Sequence, residues 1–214
     1  MRVTPSNSPQ ADSSAASVVA ARRALRAQLR ARRKSVSPEQ RALAARRVAF
    51  HVNRAFRLRA GLRVAVYAAM TEELDTAPLI ALARRHGCRV FLPRINRRTR
   101  HLRFVESLAG GREIVNHLGI SEPHGSKTLT ARHLDLVLMP LVGFDASGMR
   151  LGMGGGFYDR TFAFRIVHAS WRRPRLVGVA YSFQQLPSIA SAAHDVRLDA
   201  VVTEKGVLRC LTGS

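Results

Sequence analysis

The densest chemical signal in the chain is the run RLGMGGGFYDR at residues 150–160, in which Gly152, Gly154, Gly155 and Gly156 directly precede a helical pattern. Residues without Cβ let backbone approach a ligand closely, and N–H groups gathered at a helix N-terminus favour phosphate. The run is not a Walker loop, which ends in Gly-Lys-Ser or Gly-Lys-Thr. Nor is it a dinucleotide fingerprint, whose glycines follow their strand at once, because about a dozen residues lie between Met139 and Gly152. A structural turn is therefore an equally good reading of the glycines alone. Asp159, in the first helical turn, complements the dipole but would repel a phosphate held by the same glycines. A divalent cation resolves that conflict, since magnesium is held by one or two carboxylates together with nucleotide phosphates and waters. Asp195, in the segment HDVRLD, is a candidate second carboxylate. The competing readings are plain helix capping for Asp159, and a turn or an ion pair with Arg197 for Asp195 and Asp199.

These residues need a scaffold that brings distant loops to one edge. Residues 20–34 (AARRALRAQLRARRK) are good helix formers with Leu25 and Leu29 four apart among arginines, which predicts a basic amphipathic helix. Ser37, Pro38 and Gln40 then supply an N-cap, a first-turn proline and a capping-box glutamine, and Ala45, Val48, Val52, Ala55 and Phe56 follow at helical spacing. A second helix is expected to about Leu58. Residues 63–69 (RVAVYAA) and 89–93 (RVFLP) read as buried strands, with a helix at 76–86 that Gly87 ends. Further strands are predicted at 102–105, 134–139, 176–180 and 200–203, and a further helix at 158–167. Strand, helix, strand is the unit of a parallel sheet. The fold class is therefore α/β: a single domain with a mostly parallel open sheet flanked by helices and a basic N-terminal helical pair. In such sheets ligands sit off the carboxyl ends of the strands, so the loops after Ala69, Pro93, Met139, Ala180 and Thr203 should carry the chemistry.

The 214 residues suffice for one domain, expected over residues 21–210 after a disordered lead-in at 1–20. No apolar run approaches the roughly 20 residues of a membrane-spanning helix. The N-terminal MRVTPSNSPQADSSAAS lacks the apolar centre, about 7–15 residues long, of a secretory signal. Cys88 and Cys210 lie far apart with no metal or redox spacing, which fits a reducing cytoplasm. The net charge of +21 is almost all arginine set among alanine, with lysine only at Lys34, Lys127 and Lys205. A GC-rich coding sequence gives the same pattern without selection for binding, so charge does not choose the function. It does permit a basic RNA- or anion-binding protein that uses the N-terminal helix as its contact surface. Against that reading, aromatics are 6% of the chain and none interleave with the arginines of residues 22–34, so platforms for base stacking are scarce.

From residue 22 to residue 203 the sequence resembles the 5-formyltetrahydrofolate cyclo-ligase family, also called methenyltetrahydrofolate synthetases. The core of the likeness is MPLVGFDASGMRLGMGGGFYDR at residues 139–160, similar to a family signature of a proline-led hydrophobic turn, Phe-Asp, Arg-Leu-Gly and a glycine-rich Tyr-Tyr-Asp ending. RRALR at 22–26, ELDT at 73–76 and LP…HDVRLDAVVT near the end add to it. The resemblance implies an enzyme that uses ATP to convert 5-formyltetrahydrofolate to 5,10-methenyltetrahydrofolate, releasing ADP and phosphate through a phosphorylated formyl intermediate, an iminophosphate. It carries ATP binding onto Arg22, Arg26, Arg150, Leu151, Gly152, Met153, Gly154, Gly155, Gly156, Phe157 and Tyr158, and Mg2+ onto Asp159 and Asp195. It carries the folate onto Glu73 and onto Met153, Gly154, Gly155, Gly156 and Phe157, which both ligands would share. A carboxylate is the acceptor-only group suited to the donor edge of a pterin.

Two departures stand out. Arg22 occupies a place where the family usually has lysine, which turns a point charge into a fork, and Phe157 removes a hydroxyl where tyrosine is common. Arg94 is a further candidate to face phosphate, and no histidine is assigned a catalytic role. The implied partners are 5-formyltetrahydrofolate and ATP, with a cytoplasmic monomer expected, no membrane, and no nucleic acid required. A kinase-like or nucleotide-hydrolysing enzyme with the loop but without the folate site is the third reading.

Overall fold

Apolar side chains alternate so regularly along the central strands that each strand must be covered on both faces. Val64, Val66, Leu136, Leu138, Val177 and Val179 are buried in one core cluster, while Ala65, Val137, Met139 and Leu176 are buried in another. The computed structural model describes residues 9–96, 98–111, 113–115, 121–123, 127–168, 171 and 173–210. In chain order its elements are α1 (Pro9–Lys34), α2 (Pro38–Phe56), β1 (Arg63–Val66), α3 (Ala77–Arg85), β2 (Arg89–Ile95), β3 (Leu102–Glu106), β4 (Glu113–Val115), β5 (Ser121–Pro123) and β6 (Thr128–Leu129). They continue as β7 (Leu136–Pro140), β8 (Gly143–Phe144), β9 (Arg150–Leu151), α4 (Phe157–Phe162), α5 (Phe164–Val167), β10 (Arg175–Val179), β11 (Ala200–Thr203) and β12 (Gly206–Arg209).

The main sheet has eight strands in the order β12-β11-β10-β7-β1-β2-β3-β6. The run from β11 through β10, β7 and β1 to β2 is parallel, and β12, β3 and β6 add antiparallel edges. The α/β class and the mostly parallel sheet therefore stand as expected. Helix α2 puts Ala45, Val48 and Val52, and α3 puts Leu79 and Ala83, into the first cluster. On the opposite face Phe162 of α4 joins Phe91, Phe104 and Phe144. The capping box expected at Ser37 is present: its hydroxyl accepts from Gln40 N–H, and the Gln40 side chain accepts from Ser37 N–H. Among the described residues no helix is long and apolar enough to cross a membrane.

Several features differ from the sequence-based expectation: β4, β5, β6 and β12 were not foreseen, β12 lying past the strand expected to be the last, and β1 ends at Val66 where a strand was expected to residue 69. Helix α1 opens at Pro9, upstream of Ala20, so it reaches into the expected lead-in; residues 1–8 lie outside the described residues. The helix expected at 158–167 divides at Ala163. Phe162 and Phe164 pack in the same cluster with ring centroids 6.0 Å apart, and residues two apart on one continuous helix would face nearly opposite ways. The hairpin of β8 and β9 has two residues per strand, too few to show any period.

The turn of that hairpin depends on Gly148, at φ +83°, where an added Cβ would stand 2.6 Å from the Leu198 carbonyl oxygen and 2.9 Å from Cys210 Cβ. Backbone cannot yield as a flexible side chain would. Gly148→Ala is expected to cost about 2 kcal/mol of stability or more, read as a lower urea midpoint at unchanged slope. An unchanged midpoint would show that the turn relaxes freely.

Candidate active site

Strand β1 is where the chain reverses direction across the sheet, since it pairs with β2 on one side and β7 on the other. Helices and loops diverge there, and a crevice opens off the carboxyl ends of the strands. A cavity of about 470 Å³ lies at this place. Tyr67, Ala68 and Met70, just past β1, form one wall with Pro93 and Ile95 at the end of β2 and Pro140 at the end of β7. The strand alternation that turns Pro93 and Ile95 to the cavity turns Arg94 away from it.

Helix α1 closes the crevice from above. Leu29 packs against Val142, Met149, Leu151 and Ile189, and Arg33, nearly fully buried, donates to the Leu141 carbonyl (3.5 Å). So seated, the helix presents Arg22 and Arg26 to the cavity. Arg26 Nε donates to the Gly152 carbonyl at 2.8 Å, and burial together with the like charge of Arg22 lowers its pKa. Arg22 Nη2 donates to Asp195 Oδ2 at 3.0 Å, while its Nε is buried with no hydrogen-bond partner among the described residues.

The glycine loop forms the floor. Gly154 has φ +98° and Gly156, the residue before α4, has φ +61°, conformations that suit glycine. No backbone N–H of residues 153–156 has a hydrogen-bond partner among the described residues, which leaves donors for a ligand at the start of α4. Arg150 and Leu151 show how finely the predicted run divides. Arg150 lines the cavity, 7% exposed, whereas the side chain of Leu151, one strand position on, is buried against Leu29 and does not line it. The remaining predicted site residues, Arg22, Arg26, Glu73, Gly152 to Tyr158, Asp159 and Asp195, all do.

Both predicted metal carboxylates are held by arginine in this arrangement. Asp159 Oδ1 accepts from Arg150 Nη2 at 2.6 Å and from Val196 N–H at 3.2 Å, and Arg150 Nη1 donates to the Val196 carbonyl. Asp195 Oδ2 accepts from Arg22 and from Ala192 N–H (2.9 Å). The expected alternative partner for the late acids, Arg197, pairs with neither; Asp199 binds Arg165 Nη2 at 2.9 Å. Among the described residues no group of three or more His, Cys, Asp or Glu side chains could hold a metal. Two carboxylates lining one cavity of about 470 Å³ are nevertheless a donor set of the kind that fits magnesium, which takes its other oxygens from phosphate and water.

Glu73 sits in the turn after β1, 8% exposed, its Oε2 accepting from Met70 N–H at 3.0 Å. Burial raises its pKa, against the pull of the Met70 N–H and the Arg33 charge. Glu73 is thus a buried acid on an otherwise apolar wall rather than a surface charge. Tyr67 and Tyr158 line the same cavity, and burial raises the pKa of each, so both remain hydroxyls.

Sequence reading missed Met70, which lies in the loop expected at the site, and Tyr67, which falls within the buried strand expected at 63–69 whereas β1 ends at Val66; neither type announces chemistry. It also missed Arg160. Arg160 Nη2 donates to the Gly155 carbonyl, Nε donates to the Arg100 carbonyl (3.2 Å), and the guanidinium covers the Phe157 ring at 5.4 Å. It thus ties the glycine loop to the turn between β2 and β3. Its place four residues after Gly156 was the available signal.

Residues 18–204 match the model of the 5-formyltetrahydrofolate cyclo-ligase family. The chain is similar to the 5-formyltetrahydrofolate cyclo-ligase of Escherichia coli K12, 34% identical over 184 residues that cover 84% of this chain and 98% of the relative. It is 29% identical to the mouse cyclo-ligase over 198 residues, 89% of this chain and 97% of the relative. Its structure is similar to that of Aquifex aeolicus 5,10-methenyltetrahydrofolate synthetase, with a TM-score of 0.75 and 28% identity, covering 90% of this chain and 94% of that one.

Proposed function

This chain belongs to the 5-formyltetrahydrofolate cyclo-ligase family and converts 5-formyltetrahydrofolate to 5,10-methenyltetrahydrofolate with the use of ATP, and from that premise we propose how its residues divide the work. The formyl amide oxygen is a poor leaving group. Transfer of the ATP γ-phosphoryl to that oxygen forms an iminophosphate and ADP; N10 then attacks the formyl carbon, and the C–O bond breaks with loss of inorganic phosphate. The protein's task in such a sequence is to position two ligands and neutralise charge.

The glycine loop takes the phosphates on its backbone N–H groups at the start of α4, and Arg22 and Arg26 approach them from α1. Arg22 Nε, buried and unpartnered, is one donor awaiting such an acceptor. Asp159 and Asp195 would hold Mg2+, which when bound would offset the charge of the phosphates. Their partners Arg150 and Arg22 line the same cavity and stand ready to neutralise phosphate charge beside it. Glu73 accepts from the N–H edge of the pterin, and Tyr67, Met70 and Phe157 cover its faces and exclude water. The observation that carries this reading is one cavity of about 470 Å³ that contains both a loop of unpaired N–H groups and a buried acid. A nucleotide-only enzyme has no use for the second. The enzyme is further proposed to work as a cytoplasmic monomer without nucleic acid; the two thiols, Cys88 and Cys210, are unpaired, as in a reducing compartment.

The test is to mix the protein with ATP, Mg2+ and 5-formyltetrahydrofolate and to follow the absorbance of the methenyl product, leaving out each component in turn. ATP hydrolysis without that product would overturn the folate role. Replacing both Arg22 and Arg26 by alanine is expected to raise the ATP concentration for half-maximal rate by about ten- to a hundredfold. Unchanged ATP dependence would return α1 to a packing role.

A further inference from the structure

A second cavity, of about 360 Å³, lies between the end of α1, the first half of α2 and the turns that follow β10 and β11. It shares no residue with the first. We propose that this second cavity is a binding site for a small polyanion that bears phosphate or carboxylate groups.

Its lining is rich in donors without partners. Arg32 holds its guanidinium over the Phe183 ring at 4.6 Å, and Phe183 in turn stacks on Tyr181 at 5.2 Å with an interplanar angle of 6°. Among the described residues neither Arg32 nor Arg47 pairs with a carboxylate. Held against an aromatic face, Arg32 is stripped of water on one side and fixed in direction, which lowers the cost of binding an anion.

Tyr181 supplies the second, independent observation. The residue is 3% exposed, lines the cavity, and its buried hydroxyl has no hydrogen-bond partner among the described residues. Such a group costs stability unless a ligand satisfies it. Burial raises its pKa, so it keeps its proton and can donate. Gln40 spends its carbonyl oxygen on Ser37 N–H and retains its amide donors. The opposing charge is Glu204, but its two oxygens accept from the Ser182 N–H and hydroxyl, so it is engaged away from both arginines. The residues that carry the remaining donors line the cavity from α1, α2 and the turn after β10. The volume lies within the range of small-molecule sites, about 300–1,000 Å³, and exceeds what one phosphate needs.

The test is calorimetric titration of the full chain with pyrophosphate and, separately, with citrate, in the absence of magnesium. Arg22→Gln/Arg26→Gln removes the two α1 arginines of the first cavity and leaves Arg150 there; Arg32→Gln/Arg47→Gln removes both arginines of the second, so an event that weakens only with the second pair belongs to the second cavity. One binding event is expected to survive the first pair of substitutions within about threefold and to weaken about tenfold or more with the second. Pyrophosphate alone would identify a phosphate ligand, citrate alone a carboxylate ligand, and either supports the site. No surviving event in Arg22→Gln/Arg26→Gln, or an unchanged one in Arg32→Gln/Arg47→Gln, would overturn it. Should Arg32→Gln/Arg47→Gln fail to fold, read as lost cyclo-ligase turnover, Tyr181→Phe decides. Without anion it should melt no lower than wild type, since it deletes an unpaired hydroxyl, and the rise in Tm on adding the anion should shrink. An equal rise in both proteins would overturn the proposal.

Discussion

Asp159→Asn is expected to lower turnover by about a hundredfold or more at limiting magnesium, because the amide keeps the shape of the side chain but loses the charge that would hold the cation against the phosphates. The structure supplies a rival cause for any loss. Asp159 also anchors the buried Arg150, and an asparagine would leave that guanidinium without its counter-charge. The two causes separate in the magnesium dependence. If Asp159 is a ligand, raising Mg2+ should recover part of the rate and the apparent magnesium affinity should fall. If it only positions Arg150, the loss should be the same at every magnesium concentration, and the ATP requirement should rise instead. Full activity at limiting magnesium would remove Asp159 from both roles. Asp195→Asn should act in the same direction but less strongly, because its partner Arg22 is itself more exposed than Arg150.

The second large effect is expected at Glu73. Glu73→Gln replaces an acceptor-only carboxylate by a group that presents donors to the donor edge of the pterin, and losing a charged hydrogen bond of this kind weakens binding about ten- to a hundredfold. ATP affinity should hardly change. Stability provides the control. Burial raises the folded-state pKa of Glu73 above its value of 4.5 in an unperturbed chain. A carboxyl shifted that way contributes stability below about that pH and loses it as pH rises through the folded pKa. At neutral pH the charged form is therefore a burden on the folded state, which the glutamine does not carry, while its amide oxygen can still accept from Met70 N–H. Glu73→Gln should unfold at the same urea concentration as wild type near pH 4 and at an equal or higher one near pH 7. A variant that loses folate affinity and also stability at pH 7 would point to disturbed packing, and one that keeps folate affinity would take Glu73 out of the site.

Much of this was readable in the chain itself, because the signals are local. Four glycines before a helix, an aspartate in its first turn, a capping box at Ser37 and apolar strands separated by a helix are each written within a few residues. The resulting α/β class and the family need no knowledge of which distant parts touch. The arginines of α1 were likewise visible as charge, though not as contacts.

What the tertiary structure alone decided depends on contacts between segments far apart in the chain. The order of strands places the crevice between β1's two neighbours, and that order follows from how the faces of the whole sheet are covered. Arg22 meets Asp195 across 173 positions, a pairing no local pattern specifies; by local spacing Arg197 was the nearer choice. Glu73 reads in sequence as one charge in TEELD, and only the closure of the turn after β1 beneath Arg33 makes it a buried acceptor. Arg150 and Leu151 look like one motif, yet the pleat of β9 sends one to the cavity and the other to the core. Residue type and spacing set which chemistry is available. The packing of α1 over the carboxyl ends of the strands decides which of those residues share a cavity, because burial and distance are properties of the folded chain.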